Sequence, residues 1–373
     1  MWFRVSSRTF SSFSSKLLSI QATTTPKQKP VLDDKLAFGI ATSDHMLDID
    51  WSDGTGWGAP RIIPYQPLQI DPATSVLHYG TECFEGLKAY KNSKGQILLF
   101  RPDMNMQRLR RSAEAVGLPD FDDKELLKCI EKLMIADESW IPTLKGYSLY
   151  IRPTFIGTHV GLGVTKPKKA KLFVINSTVG PYFPCGLKPI HLYCDEGIVR
   201  AFPGGSGDKK IGANYAPGIG HTARLQSKGF NQILWLCQSY VTEAGTMNFF
   251  VYWINKQGEK ELMTCELDGT ILPGVTRDSI LKITKGWGEF KVTEGKYTID
   301  EFIDSLNEGR VIEAFGAGTA CIVCPIDKIT YKDKVYSVPV KLGIAGELTK
   351  RLQDEILSIQ YGEKDHEFQH YIR

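Results

Sequence analysis

Residues 204–215 read GGSGDKKIGANY. Glycines at 204, 205, 207 and 212 surround Lys209 and Lys210, so the backbone there can bend and approach a ligand closely. Two adjacent ammonium groups disfavour each other's charge, and a neutral amine is what attacks a carbonyl. The stretch therefore holds the raw material for a lysine that bonds covalently to an aldehyde. By itself it reads more readily as a solvated loop with two surface lysines, and the residues around it supply the context. It is not a nucleotide loop. It lacks G-x-x-x-x-G-K-[ST], and GAGTAC at 316–321 lacks the last glycine of G-x-G-x-x-G.

Beyond Lys210 come Asn214 and Tyr215, and YVTEAGTMNFF at 240–250 places Glu243 some thirty residues on. ILPGVTR at 271–277 and AFGAGTACIVC at 314–324 read as two turns whose backbone N–H groups suit a phosphate. Upstream, Arg108 in NMQRL could add a planar charged fork to that phosphate. An amine, a carboxylate for a pyridinium nitrogen, a phenol and a phosphate cup are the parts that pyridoxal phosphate requires. A rival pattern, HEFQH at 366–370, matches the zinc-peptidase H-E-x-x-H, with His366 and His370 on one helix face and Glu367 as base. Only Tyr371, Ile372 and Arg373 follow it, and none is a usual zinc ligand, so no metal is expected.

The 373 residues are 42% apolar and 23% charged, which suggests two globular domains. A net charge of +3 argues against a dedicated nucleic-acid binder, and no run of 18 apolar residues predicts a membrane span. Residues 1–32 differ from the rest: seven Ser, five basic residues and no acid, the composition of a mitochondrial or plastid transit peptide. Residues 1–30 are therefore expected to be cleaved, in a protein of the mitochondrial matrix with plastid or cytoplasm as alternatives. Six of the eight cysteines are scattered like ordinary reduced thiols; Cys321 and Cys324 form C-x-x-C.

Periodicity gives a strand over 96–100 and helices over 101–118 and 122–140, with Met106, Leu109, Ala113 and Val116 on one face. β-branched and aromatic runs follow at 147–157 and 171–178. Four residues of the turn type, Pro181, Pro184, Gly186 and Pro189, crowd 180–189. Strands are expected at 189–194, 232–237 and 248–254. Helices are expected at 276–285, at 300–308 behind a Thr298–Glu301 capping box, and at 340–360. The reading is a two-domain α+β or α/β protein: a small domain over 31–180, a loop over 181–190 and a large cofactor domain over 191–373.

In chain order, SDHML, GWGAPRI, LHYG, CFEGLKAY, LFRPDMNMQRL, YIRPTFIGT, KIGANY, TEAGTMN, LPGVTR and GTACIVC run from residue 43 to residue 324. This series resembles the branched-chain amino-acid aminotransferases, of the type IV pyridoxal-phosphate fold shared with D-amino-acid aminotransferase. The resemblance implies that the cofactor lysine is Lys210 rather than Lys209, because the family's lysine lies four residues before the Asn. It implies Glu243 for the pyridine nitrogen, Tyr215 for the phenol near the ring oxygen, and Arg108, Val275, Thr276, Gly318 and Thr319 around the phosphate. Phe38, Tyr79, Phe84, Tyr150, Tyr182 and Thr246 match the wall around the substrate side chain, Thr246 also lying in the cofactor set. Arg152 and Ala320 match groups that orient carboxylates, and Leu162 and Val164 match residues given across a homodimer interface. Cys321 and Cys324 match a thiol switch of mammalian relatives. Two departures stand out: Ala213 where Gly is usual, and Ala317 where Ser is more frequent. The implied substrates are Leu, Ile, Val, glutamate and their 2-oxo acids. D-amino-acid aminotransferase and aminodeoxychorismate lyase are the rivals within the fold.

Overall fold

The computed structural model describes residues 12–33, 35–181, 187–341 and 343–372. The chain separates into two compact units, one of residues up to 91 with 101–179, the other of 92–100 with 180–371. Residues 92–100 thus group with the second unit, although in sequence they stand inside the first.

The first unit holds strands β1 (Ser19–Ile20), β2 (Thr42–Ser52), β3 (Arg61–Pro64), β4 (Glu82–Phe84) and β5 (Leu87–Lys91). Helices α1 (Pro102–Ala115) and α2 (Asp123–Ala136) follow, then β6 (Ser148–Gly157) and β7 (Lys169–Val179). Their order across the sheet is β1-β3-β2-β7-β6-β5, with β4 also on β6. β7 alternates from Ala170 through Leu172 and Val174 to Asn176, inside and outside by turns, as a strand with one buried face does. On α1, Met106, Leu109 and Ala113 are buried as the periodicity requires, while Val116 is the half-buried C-cap before Gly117 at φ +71°. α2 starts where Asp122 accepts from the Lys124 and Glu125 N–H groups.

The stretch with the composition of a leader is built into this unit from residue 12 onward. Phe13 is buried edge-on to Trp57, ring centroids 5.0 Å apart. The Ser15 N–H donates to Glu125 at 2.6 Å, and Lys132 donates to the Ser15 carbonyl at 2.7 Å. β1 pairs with β3 in parallel. Further on, the Thr23 N–H donates to His45 Nε2 at 3.0 Å and the Lys27 N–H to Asp44 at 2.8 Å.

The second unit holds β8 (Ile190–Asp195), α3 (Ala216–Gln226), β9 (Gln232–Cys237), β10 (Tyr240–Ala244), β11 (Met247–Ile254) and β12 (Lys260–Cys265). These are followed by α4 (Val275–Trp287), β13 (Lys291–Gly295), α5 (Ile299–Asn307), β14 (Val311–Gly318), β15 (Ile322–Tyr331), β16 (Lys334–Ser337) and α6 (Glu347–Gln360). Its sheet runs β10-β9-β8-β15-β14-β11-β12-β13, and β10 pairs again with β11, so six strands close into a ring. Closure leaves the six ring strands no free edge, while β13 and β16 remain as pendent edge strands. β8 and β9 are parallel and α3 makes the crossover between them. Leu192, Leu234, Phe249, Val251, Phe302 and Ile326 are buried together in one cluster.

Three expectations change. Helix α6 starts at Glu347, not at 340, because Gly343 takes φ +78° and Glu313 receives the Leu348 and Thr349 N–H groups at 2.9 and 2.8 Å, closing the helix end. AFGAGTACIVC is not a turn alone: Val311–Gly318 and Ile322–Tyr331 are paired antiparallel strands, leaving a short connection between them. HEFQH is not helical. Gln369–Tyr371 form a strand against 98–100, so His366 and His370 share no helix face.

Candidate active site

In the second unit the lysine loop precedes α3, where a βα connection leaves backbone free to turn. Lys210 Nζ lies 2.9 Å from the Tyr215 hydroxyl, on which it donates. Lys209 faces elsewhere, with Nζ 2.5 Å from Asp208. Asn214 fixes the loop by donating to the Ser206 and Lys209 carbonyls at 2.6 and 2.7 Å. Of the two lysines, the one next to the phenol is Lys210.

Glu243 lies on β10, buried to 2% exposure. Its Oε1 accepts from Asn248 Nδ2 and the Leu272 N–H, each at 3.0 Å, and its Oε2 pairs with Arg200 Nε at 2.8 Å. Arg200 reaches further, donating to the Thr270 carbonyl at 3.0 Å and the Gly207 carbonyl at 3.2 Å. It therefore ties the glycine loop before Lys210 to the acid. Gly207 has to be glycine for this, since a Cβ there would lie 2.5 Å from the Ala201 methyl and 2.7 Å from the Gly269 carbonyl. Asn248 links the acid to the next element: a Cβ on Gly274, the N-cap of α4, would meet its side-chain oxygen at 2.1 Å. Val275 and Thr276 open that 13-residue helix, whose first N–H groups and dipole favour an anion. Gly318 sits at the end of β14 beside the Thr246 carbonyl, and Thr319 and Ala320 form the half-buried turn beyond it.

In the first unit Arg108 is buried on α1 and forks onto Glu85, Nε to Oε1 at 2.6 Å and Nη2 to Oε2 at 2.8 Å. A second group forms around Arg152 on β6. Its guanidinium donates to the Tyr150 hydroxyl at 3.1 Å and lies over the Phe84 ring at 4.9 Å, while its buried Nε has no hydrogen-bond partner among the described residues. Phe38 packs edge-on to Tyr150 at 4.9 Å, and the Tyr79 hydroxyl donates to the Leu162 carbonyl. Leu162 and Val164 are 67% and 81% exposed on a single chain. Tyr182 lies outside the described residues.

Class IV amino-transferase is the family whose sequence model matches residues 82–329, two thirds of the chain. A branched-chain-amino-acid aminotransferase of Dictyostelium discoideum is 55% identical over 348 residues, 93% of this chain and 92% of that one. The chain belongs to the branched-chain-amino-acid aminotransferases of class IV. Mammalian members of the family are similar under two compartment names: the cytosolic enzyme of Mus musculus at 49% identity and the mitochondrial enzyme of Rattus norvegicus at 48%, covering 94% and 96% of this chain, 91% and 92% of theirs. Among solved aminotransferases of this kind, that of Escherichia coli aligns at a TM-score of 0.66 with 25% identity, over 87% of this chain and 98% of that one. The Thermobaculum terrenum enzyme, solved in its pyridoxal-phosphate form, aligns at 0.69 with 20% identity, over 88% and 98%. The architecture is the type IV fold of pyridoxal-phosphate enzymes.

Three partners of these groups were not singled out in the sequence: Arg200, Asn248 and Glu85. Asn248 and Glu85 lie inside family motifs, in TEAGTMN and CFEGLKAY, yet nothing in their spacing says what they hold. Arg200 lies ten residues before Lys210 in an unremarkable VRAF, and only the fold brings it to Glu243. Cys321 and Cys324 are free buried thiols. Cys321 Sγ lies 3.4 Å from Met247 Sδ, and burial, then Cys321 beside it, pushes the Cys324 thiol up.

Proposed function

We propose that this chain moves the amino group of Leu, Ile or Val to 2-oxoglutarate in a two-stage exchange on pyridoxal phosphate, with Lys210 as its catalytic residue. The observation that carries the reading is the pairing of Lys210 with Tyr215 on a loop that Arg200 ties to the buried Glu243. That donor set fits the group: an amine for its aldehyde, a carboxylate for its ring nitrogen, a phenol, and a helix start for its phosphate. When bound, pyridoxal phosphate supplies the carbonyl that takes up the amino group and a ring that absorbs the electron pair left at the substrate Cα.

The chain's own residues do the rest. Lys210 Nζ takes the proton from Cα of the amino acid and, in the return half, gives one to Cα of the incoming oxo acid. The Tyr215 hydroxyl, 2.9 Å away, orients that amine. Glu243 accepts the ring N–H, and its three N–H donors hold it there. Arg108, Val275, Thr276, Gly318 and Thr319 receive the phosphate, with Thr246 beside Gly318. We assign Phe38, Phe84, Tyr150 and Tyr79 to an aromatic wall suited to side chains that offer no polar handle, and Tyr182 to it on the motif series alone. Arg152, whose Nε has no partner among the described residues, and Ala320 are assigned to the carboxylates, as a glutamate substrate requires. We assign Leu162 and Val164 to a homodimer contact, and Cys321 with Cys324 to a redox pair made slow by burial.

For localisation we propose the mitochondrion. The leader is then confined to residues upstream of Ser12, because residues 12–30 are packed on the first unit.

Lys210→Ala is the direct test. It is expected to give a folded protein that lacks the visible absorbance of the loaded enzyme and turns over at least about 10²–10⁴-fold more slowly. Normal transamination by this variant would pass the role to Lys209 and overturn the assignment.

A further inference from the structure

Glu85 and Gly86 form the two-residue link between β4, which ends at Phe84, and β5, which begins at Leu87. Phe84 lies beneath the Arg152 guanidinium. Gly86 lies against Tyr150: a Cβ there would sit 1.9 Å from the phenol oxygen. Between them Glu85 turns toward α1, and it is fully buried. Its carboxylate takes both arms of the Arg108 fork, and Oε2 also accepts from Asn105 Nδ2 at 2.8 Å and from the Gly86 N–H at 3.1 Å. Asn105, one helical turn before Arg108, donates as well to the Gly86 carbonyl at 3.3 Å.

We propose that Glu85 is a positioning residue that acts through Arg108. It sets the plane and reach of the guanidinium that meets the cofactor phosphate, and it locks that guanidinium to the backbone bearing the substrate wall. The inference rests on the assignment of Arg108 to the phosphate. A long arginine on a helix has several rotamers, and holding one of them costs conformational entropy. A bidentate carboxylate removes that freedom before the ligand arrives, because two parallel N–H···O bonds define the plane of the fork. Glu85 does this with the two N–H groups that its oxygens accept, Nε–H and one on Nη2, of the five that a guanidinium carries. The same carboxylate fixes the Gly86 peptide, and through it the place where the Tyr150 hydroxyl sits beside Arg152. Charge neutralisation alone would not need this geometry. One oxygen within reach would suffice for that, whereas here both oxygens are engaged, one by Nε–H and the other by Nη2.

The discriminating experiment compares affinity for pyridoxal 5′-phosphate with affinity for unphosphorylated pyridoxal on the full chain. The ratio of the two dissociation constants isolates what the phosphate contributes. Glu85→Gln presents an amide N–H to guanidinium N–H groups, so the fork should turn away. The preference for the phosphorylated form should then fall about tenfold or more, the worth of one charge-assisted hydrogen bond, while affinity for pyridoxal changes little. Arg108→Lys, measured alongside, should also lower the ratio. If Arg108→Lys leaves it unchanged, the phosphate assignment fails and the proposal falls with it. If Arg108→Lys lowers the ratio while Glu85→Gln leaves or raises it, Glu85 serves only to compensate charge and the proposal alone is overturned. Should Glu85→Gln fail to fold, Glu85→Asp keeps the charge but draws it back by one methylene. A lowered ratio there supports positioning, and an unchanged one ends it.

Discussion

Gly207 shows how much a single missing side chain can decide. Its carbonyl receives Arg200, and a Cβ added to it would run into Ala201 and the carbonyls of Gly269 and Thr270. Gly207→Ala would need space at 2.5–2.9 Å on three sides, two of them backbone. The expected cost is about 1–3 kcal/mol of stability from overpacking, read as a lower denaturant midpoint. The larger effect should fall on cofactor retention, since the displaced loop carries Lys210. A variant that keeps both its midpoint and its cofactor would show that the loop can yield without consequence. Glu85 belongs to the same scale: it is legible as part of a motif, but its work depends on which way a residue of the β4–β5 link points.

At the scale of elements, the N-terminal strap and the start of α6 differ most from what the sequence suggests. Residues 12–30 have the basic, serine-rich, acid-free makeup of a leader, yet Phe13, Ser15, β1, Thr23 and Lys27 are each engaged with the first unit. Deleting residues 1–11 should leave the thermal midpoint near that of the full chain. Deleting 1–30 should lower it clearly, because burial of Phe13 alone is worth about 2 kcal/mol. Matching midpoints for the two truncations, or a mature protein from the organelle beginning near residue 31, would contradict the strap. Its attachment should also depend on pH. Lys128, and after it the Ser15 N–H, lower the Glu125 carboxyl from its ordinary 4.5 to about 2. A depressed carboxyl stabilises the bound form above its free value and loses that contribution as the pH falls toward the lowered one. The Ser15 share belongs to the strap. Trp57 fluorescence, which reports on Phe13, should therefore hold steady above pH 4.5 and change below it.

At the scale of the molecule, the exposed loop with Leu162 and Val164 sets the expectation about assembly. Two aliphatic side chains at 67% and 81% exposure in one short loop are costly to leave in water, and they suit a partner surface. Leu162→Asp should shift the sedimentation coefficient from dimer toward monomer and cut turnover, with the fold of each chain intact by circular dichroism. An unshifted coefficient would remove this loop from the interface.

The expectation for Lys210, Tyr215, Glu243 and Arg108 came from motifs in a fixed order along the chain, and order survives without coordinates. Amphipathic spacing likewise determined α1 and α2, and the Thr298–Glu301 capping box fixed the start of α5, because these signals are local. The ring of six strands was not legible: β10 must pair with both β9 and β11, and pairing partners distant in sequence leave no periodic trace. For the same reason only the tertiary structure could bring Arg200 to Glu243, set Glu85 behind Arg108, and turn a leader-like segment into a strap. Composition records what residues are, whereas long-range contact decides what they hold.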